Sequence, residues 1–252
     1  MWEAIGIGVL LVALCAPLLH RPGIFGFLAG HKRVTLVVAH PDDEAMFFWP
    51  VLSQLQASGA EISVLCLSTG NFDGLGDLRR REMERSCMQI GVVGEALQIL
   101  DVAELQDGCR WPAEVVAAKA LIFLRKQRAT AVLTFDNKGV SGHPNHISTS
   151  EGMLRARELA EHDLQFDLFL LKSVALYQKY IGPLSLLMLG ASDAAATTNS
   201  PTACLTALSA HWSQLVWYRA LFALASHYAY VNTFVRHVPE RGDAARKKDQ
   251  LH

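Results

Sequence analysis

Val34-Thr-Leu-Val-Val-Ala-His-Pro-Asp-Asp-Glu44 is the stretch on which the fold turns. Residues 34–38 form an apolar, β-branched run too short for a helix and rich in valine. That pattern predicts a strand buried on both faces of a parallel sheet. The run ends at Ala39, and the next residues change character. His40, Asp42, Asp43 and Glu44 place one imidazole and three carboxylates where a buried strand meets a loop. Pro41 lacks an N–H and resists helix, so the chain must turn there. Ligands of open α/β sheets bind where strands give way to loops. Imidazole and carboxylate packed this closely predict a divalent cation, with a carboxylate to spare for proton transfer.

A plainer reading makes Asp-Asp-Glu a solvated helix start, because acidic residues favour a helix N-terminus. A second polar cluster in the same context argues against it. Ala131–Phe135 (Ala-Val-Leu-Thr-Phe) is another short buried-strand candidate. It is followed by Asp136 and then by Gly139-Val-Ser-Gly-His-Pro-Asn-His146. His143 and His146, three apart at the start of an expected helix, share a face. The two clusters together describe one site built from two strand ends.

The pair Ala39-His-Pro-Asp-Asp-Glu44 and Ser141-Gly-His-Pro-Asn-His146 resembles the motifs of the zinc-dependent LmbE-type N-deacetylases. Phe47-Phe48, Ser68-Thr-Gly-Asn71 and His211-x-Ser-Gln-x-x-Trp-Tyr-Arg219 extend the resemblance from about residue 34 to 234. These later stretches are similar to the eukaryotic, membrane-bound branch. The resemblance implies a Rossmann-like, doubly wound, mostly parallel α/β sheet. It implies hydrolysis of the N-acetyl group of N-acetylglucosaminyl-phosphatidylinositol, the second step of glycosylphosphatidylinositol-anchor synthesis. It also implies Zn2+, another divalent cation being an alternative, held by His40, Asp43 and His146. Two imidazoles and one carboxylate leave a fourth position open, as hydrolytic zinc sites do. Asp42 is then the general base and His143 the hydrogen-bond donor to the oxyanion, with Asp136 expected to orient His143. Glu44 is expected to be a structural acid. Arg79 occupies the position of a substrate-holding arginine that follows a Gly-Glu pair in the family. Asp77 stands here where glutamate is usual, and a solvated helix face is the competing account of Arg79.

At 252 residues the chain suits one medium α/β domain with a short appendage. Its formal net charge of −1 supplies no basic field for a nucleic-acid partner. Five cysteines, odd in number and without a Cys-x-x-Cys pair, suit a reduced, cytosol-facing domain. The start is different. Residues 4–19 carry no charge, and Arg21, Lys32 and Arg33 follow rather than precede them. A secretory signal has the opposite polarity. The positive-inside rule predicts a lumenal N-terminus and a cytosolic remainder. Sixteen residues fall short of the roughly 20 that cross an ordinary bilayer. They suit the thinner endoplasmic reticulum membrane, about 27 Å, more closely. The expected organisation is a single-pass membrane anchor over 1–30, a deacetylase domain over 31–235 and a charged, disordered tail over 236–252. The resemblance implies the same placement, at the cytosolic face of the endoplasmic reticulum.

Between these limits the pattern predicts helix over 45–58, strand over 62–67, helix from Asp77 to Ile90, strand over 96–100, helix from Pro112 to Arg128 and helix through Glu161. Further strand is expected over 172–177, and one long aromatic helix over 201–234. Residues 180–189, broken by Gly182 and Pro183, are too short to span and suit a membrane surface or a lipid-facing groove. No dinucleotide or phosphate-loop motif occurs, and His143 stands where a nucleophile elbow requires glycine. Two competing functions remain: a deacetylase of a soluble N-acetylglucosamine conjugate, and a catalytically inactive membrane scaffold. The scaffold should have lost a ligand or Asp42, and neither is lost.

Overall fold

The computed structural model describes residues 24–160, 164–190, 194–198 and 202–238. Strand β1 (Arg33–Val38) runs between two parallel neighbours, β2 (Glu61–Cys66) and β4 (Ala131–Phe135). Val34 lies opposite Ile62 on one side and Ala131 on the other. β3 (Leu97–Ile99) extends the sheet beyond β2, and β5 (Asp167–Leu171) extends it beyond β4, both in parallel. β7 (Val231–Arg236) and β6 (Ala194–Thr197) complete the edge as antiparallel strands, giving the order β3-β2-β1-β4-β5-β7-β6. Leu36, Val37 and Val38 are all fully buried. Successive strand side chains point to opposite faces, so both faces of β1 are covered, as its unbroken apolar run requires.

The order carries one consequence for chemistry. The chain leaves β1 for β2 and β3 on one side, then returns to add β4 and β5 on the other. The carboxyl ends of β1 and β4 therefore flank the switch point, where α/β sheets open a ligand crevice. The two polar clusters follow those two strands.

The longer α-helices among the described residues are α1 (Asp43–Phe47), α2 (Trp49–Ala57), α3 (Gly76–Met88), α4 (Ala113–Gln127), α5 (Pro144–Leu159), α6 (Ala203–Leu208) and α7 (Trp217–Ala225). α4 and α5 pack on each other and on β1. Their approach depends on Gly152 in α5: a Cβ there would stand 2.2 Å from Val116 Cγ1 of α4. Neither helix can yield without unpacking from the sheet. Gly152→Ala is expected to lower the unfolding free energy by about 1–3 kcal/mol, measured by denaturant titration. An unchanged midpoint would mean that α4 and α5 are further apart than described.

Three expectations change. Residues 202–234 are not one helix but α6, two short 3-10 turns, α7 and most of β7. The run is apolar enough for either helix or strand. Val231, Thr233 and Val235 favour extension, and β5 and β6 on either side offer the pairing that fixes it. The strand expected over 172–177 lies instead at Asp167–Leu171, where Leu168 and Leu171 are fully buried, and residues 176–179 make a single helical turn. The helix expected over 45–58 is two helices that meet at Phe48, with Pro50 in the first turn of the second.

The anchor expected over 1–30 lies outside the described residues as far as residue 23. Its last part, Ile24–Leu28, is a short 3-10 helix whose Phe27 ring sits 5.3 Å from Phe234 and 5.2 Å from Phe169. That part belongs to the domain. No helix among the described residues is long and apolar enough to cross a membrane. The tail from residue 239 onward also lies outside the described residues.

Candidate active site

His40 is supplied by the turn after β1, and His143 and His146 by the start of α5 after β4. Adjacent strands stand about 4.8 Å apart, so residues leaving their ends meet. The ring centroid of His40 is 4.9 Å from that of His143 and 5.6 Å from that of His146. One ring nitrogen from each of the three lies within 4.8 Å of the others. Asp43 joins them: its Oδ1 is 3.1 Å from His146 Nε2, and its Oδ2 is 3.8 Å from His40 Nδ1. The N–H groups of Ala39 and His40 donate to Asp43 Oδ2 at 3.0 and 2.8 Å, which fixes the carboxylate.

Hydrogen bonds sort the imidazoles into two kinds. His40 Nε2 lies 3.3 Å from Asp107 Oδ1 and 3.3 Å from Asn145 Oδ1, both acceptors, so that nitrogen carries the proton. His146 Nδ1 lies 3.2 Å from the carbonyl of Gly139 and must also donate. His146 is held further by Phe135, whose ring is stacked on it with centroids 4.1 Å apart and planes nearly parallel. Each of these rings keeps one lone-pair nitrogen on the side of Asp43. An imidazole tied through its other N–H to a carboxylate or carbonyl is how proteins present metal ligands. His143 is the reverse. Its Nδ1 accepts the N–H of Asn145 at 3.3 Å, so a neutral ring bears its proton on Nε2. The donor set fits a divalent cation held by His40, Asp43 and His146, with His143 beside it as a hydrogen-bond donor.

The charges agree. Burial, then the neighbouring imidazoles of His146 and His40, push the His143 pKa down to about 4, so the ring is neutral near pH 7. Burial alone would raise Asp43, but His146 and His40 bring it down to about 2. For His40 burial opposes protonation, and the bond to Asp107 with the charges of Asp43 and Asp107 outweighs it, raising the pKa. Asp107 is lowered because its bond and charge interaction with His40 overcome burial.

Asp42 sits at φ 135°, a region that L residues seldom occupy, which costs on the order of 1–3 kcal/mol. The surroundings hold it there. Its carbonyl accepts from Ala45 and Met46, its N–H reaches Glu44 Oε2 at 3.2 Å, and its carboxylate is paired with Arg219. A second strained residue, Val140 at φ 62°, shapes the turn before His143 and is pinned through its N–H to Ser173 Oγ.

The segment from His211 to Arg219 braces the first motif. His211 Nε2 meets Glu44 Oε1 at 2.6 Å, both side chains fully buried. Burial lowers the His211 pKa, but the adjacent carboxylate more than compensates and holds it above the ordinary value. Gln214 Nε2 donates to the carbonyl of Pro41, and Arg219 pairs with Asp42. Glu44 is thus a structural acid. His211→Ala takes the imidazole from Glu44 Oε1, leaving that buried carboxylate only the Asp42 N–H, and is expected to cost about 3–5 kcal/mol of stability. A loss under about 1 kcal/mol would contradict the described pairing.

The structure brings His40, Asp42, Asp43, His143 and His146 to the wall of one cavity of about 490 Å³, together with Arg79, Asp107 and Arg219. Arg79 Nη1 donates to the carbonyl of Gly70, while its buried Nε has no partner. Asp136 corrects an expectation. It does not orient His143; its oxygens accept from the N–H groups of Lys138, Gly139 and Ser173 and from Ser173 Oγ. It therefore shapes the turn whose Gly139 carbonyl receives His146. The sequence alone assigns no role to Asp107, Asn145 or Arg219. Asp107 falls in neither polar cluster, and Arg219 is only the end of a motif.

A mixed, mostly parallel sheet with two histidine-bearing turns over its switch point is the LmbE-like α/β fold. Its PIG-L domain, described as GlcNAc-PI de-N-acetylase, matches residues 35–157. A probable N-acetylglucosaminyl-phosphatidylinositol de-N-acetylase of Dictyostelium discoideum is 33% identical over 239 residues, covering 81% of this chain and 93% of its own. The N-acetylglucosaminyl-phosphatidylinositol de-N-acetylase of Bos taurus is 32% identical, covering 84% and 87%. N,N'-diacetylchitobiose deacetylase of Pyrococcus horikoshii shares the fold at a TM-score of 0.62 and 19% identity, over 97% of each chain. The chain belongs to the PIG-L family of GlcNAc-PI de-N-acetylases.

Proposed function

We propose that this pocket removes the acetyl group from N-acetylglucosaminyl-phosphatidylinositol, yielding glucosaminyl-phosphatidylinositol and acetate in glycosylphosphatidylinositol-anchor synthesis. The observation that carries the reading is the division among the imidazoles. His40 and His146 face Asp43 as lone-pair donors, whereas His143 faces the cavity as a proton donor.

His40, Asp43 and His146 would hold the cation, and two imidazoles with one carboxylate suit zinc. A divalent cation so held supplies Lewis acidity and makes water nucleophilic near neutral pH. Asp42, buried at the cavity wall and outside the ligand set, takes the proton as water attacks the amide carbon. It then returns that proton to the departing amine. His143 Nε2–H donates to the oxygen of the acetyl carbonyl as negative charge develops there. Arg79, which lines the cavity, is assigned to the polar part of the substrate.

The substrate also accounts for several exposed apolar side chains in the C-terminal third. Leu176, Tyr177, Leu187, Trp212, Trp217, Tyr218 and Leu221 are each more than half exposed. An apolar surface rich in tryptophan and tyrosine suits the membrane interface. With residues 4–19 as anchor and Arg21, Lys32 and Arg33 behind it, we place the domain on the cytosolic face of the endoplasmic reticulum. Acetate release from N-acetylglucosaminyl-phosphatidylinositol should exceed that from a soluble N-acetylglucosamine conjugate. Equal or greater turnover of the soluble conjugate would favour a soluble-substrate deacetylase.

A further inference from the structure

Two permanent cations line the cavity among the described residues, Arg79 and Arg219, against the carboxylates of Asp42, Asp43, Asp73 and Asp107. A phosphodiester entering such a wall needs a guanidinium with unused donors. Arg79 directs Nη1 back to the Gly70 carbonyl at 2.9 Å, and its unpartnered Nε is buried where no ligand reaches it. Arg219 uses Nη1 for Asp42 and Gln214 Oε1, and its Nη2 and Nε make no hydrogen bond among the described residues. A guanidinium has five donors in a planar fork, so one edge can hold a carboxylate while another takes a phosphate.

The helix that carries Arg219 points to the same ligand. Along α7, Trp217, Leu221 and Leu224 recur at helical spacing and are 75%, 53% and 49% exposed, whereas Arg219 is turned to the other side, toward the cavity. One short helix thus has an apolar face outward and an anion-binding group inward. That order matches a phospholipid, with acyl chains outside and the phosphodiester nearer the pocket.

We propose that Arg219 is the specificity-determining residue that recognises the phosphodiester of the substrate while its Nη1 steadies Asp42. The inference rests on the deacetylase reading above. In the account it gives, the phosphate is read by the same side chain that positions the base, so the lipid-linked sugar is favoured over its phosphate-free analogue at the step that commits to hydrolysis.

The test compares kcat/KM for acetate release from N-acetylglucosaminyl-inositol, its soluble inositol 1-phosphate and the full phosphatidylinositol form, in the wild type, Arg219→Gln and Arg219→Lys. Wild type should favour the soluble phosphate over the phosphate-free sugar by roughly 10–100-fold, the range of a charge-assisted hydrogen bond. Arg219→Gln should reduce that ratio to within about threefold of unity, whatever it does to the absolute rate through Asp42. Arg219→Lys should restore part of it. Bound metal equal to wild type shows that a variant is folded. A ratio near unity in wild type, a ratio unchanged in Arg219→Gln, or a preference seen only with the diacyl form would each overturn the proposal. Absence of acetate from all three substrates with wild type would instead defeat the deacetylase reading itself.

Discussion

An Asp42→Asn protein is expected to bind its divalent cation as wild type does and to release acetate roughly 10²–10⁴ times more slowly. The two halves of that expectation have separate physical origins. Metal retention follows because Asp42 is turned away from the ligand set: its carboxylate meets Arg219, while Asp43 meets His146. Asparagine keeps the shape and can still accept from Arg219 through its amide oxygen. The rate loss follows because an amide takes up no proton from attacking water near neutral pH. The strain at φ 135° adds a reason to look here, since backbone held in a disfavoured region is concentrated at working residues. Full activity in Asp42→Asn would remove the residue from the base role and leave that strain without a purpose.

His146→Ala should have the larger effect, because it removes the cation itself. The ring is held on three sides: by the Gly139 carbonyl, by the parallel Phe135 ring and by the Asp43 carboxylate. Alanine deletes a proposed ligand of the cation and leaves Asp43 with one imidazole fewer. The fall in metal affinity should exceed the 10–100-fold typical of losing an outer partner, and acetate release should drop to the level of a protein-free control. Asp107→Asn is the informative contrast, since Asp107 touches His40 only through its far nitrogen. Stoichiometric metal retained by His146→Ala would show that the three imidazoles and Asp43 are not used as assigned.

How much of this is legible in the residues depends on the range of the interaction. β1 and β4 are visible because a buried parallel strand must be an unbroken apolar run, and the turns that follow are visible because polar residues end it abruptly. The gathering of His40, Asp42, Asp43, His143 and His146 at one wall follows from those two strands being neighbours. The C-terminal third is less legible. Residues 231–236 lean toward strand through Val231, Thr233 and Val235, but it is β5 and β6 on either side that fix them as one, and a sequence does not show that pairing. Asp136 misleads for a similar reason. A carboxylate near a histidine in sequence suggests a pair, but the nearer backbone N–H groups of its own turn claim it. Arg219 and Asp42 are 177 residues apart, and Glu44 and His211 are 167 apart. Each belongs to a recognisable motif, yet which motif braces the other is a property of the fold.

The most direct measurement pairs bound metal with acetate release in one preparation. Protein stripped by chelator is titrated with zinc while acetate is followed from N-acetylglucosaminyl-phosphatidylinositol. The account predicts no turnover in the stripped protein and a linear recovery that ends at one equivalent. Undiminished turnover by metal-free protein, or recovery requiring two equivalents, would contradict a single cation held between the turns after β1 and β4.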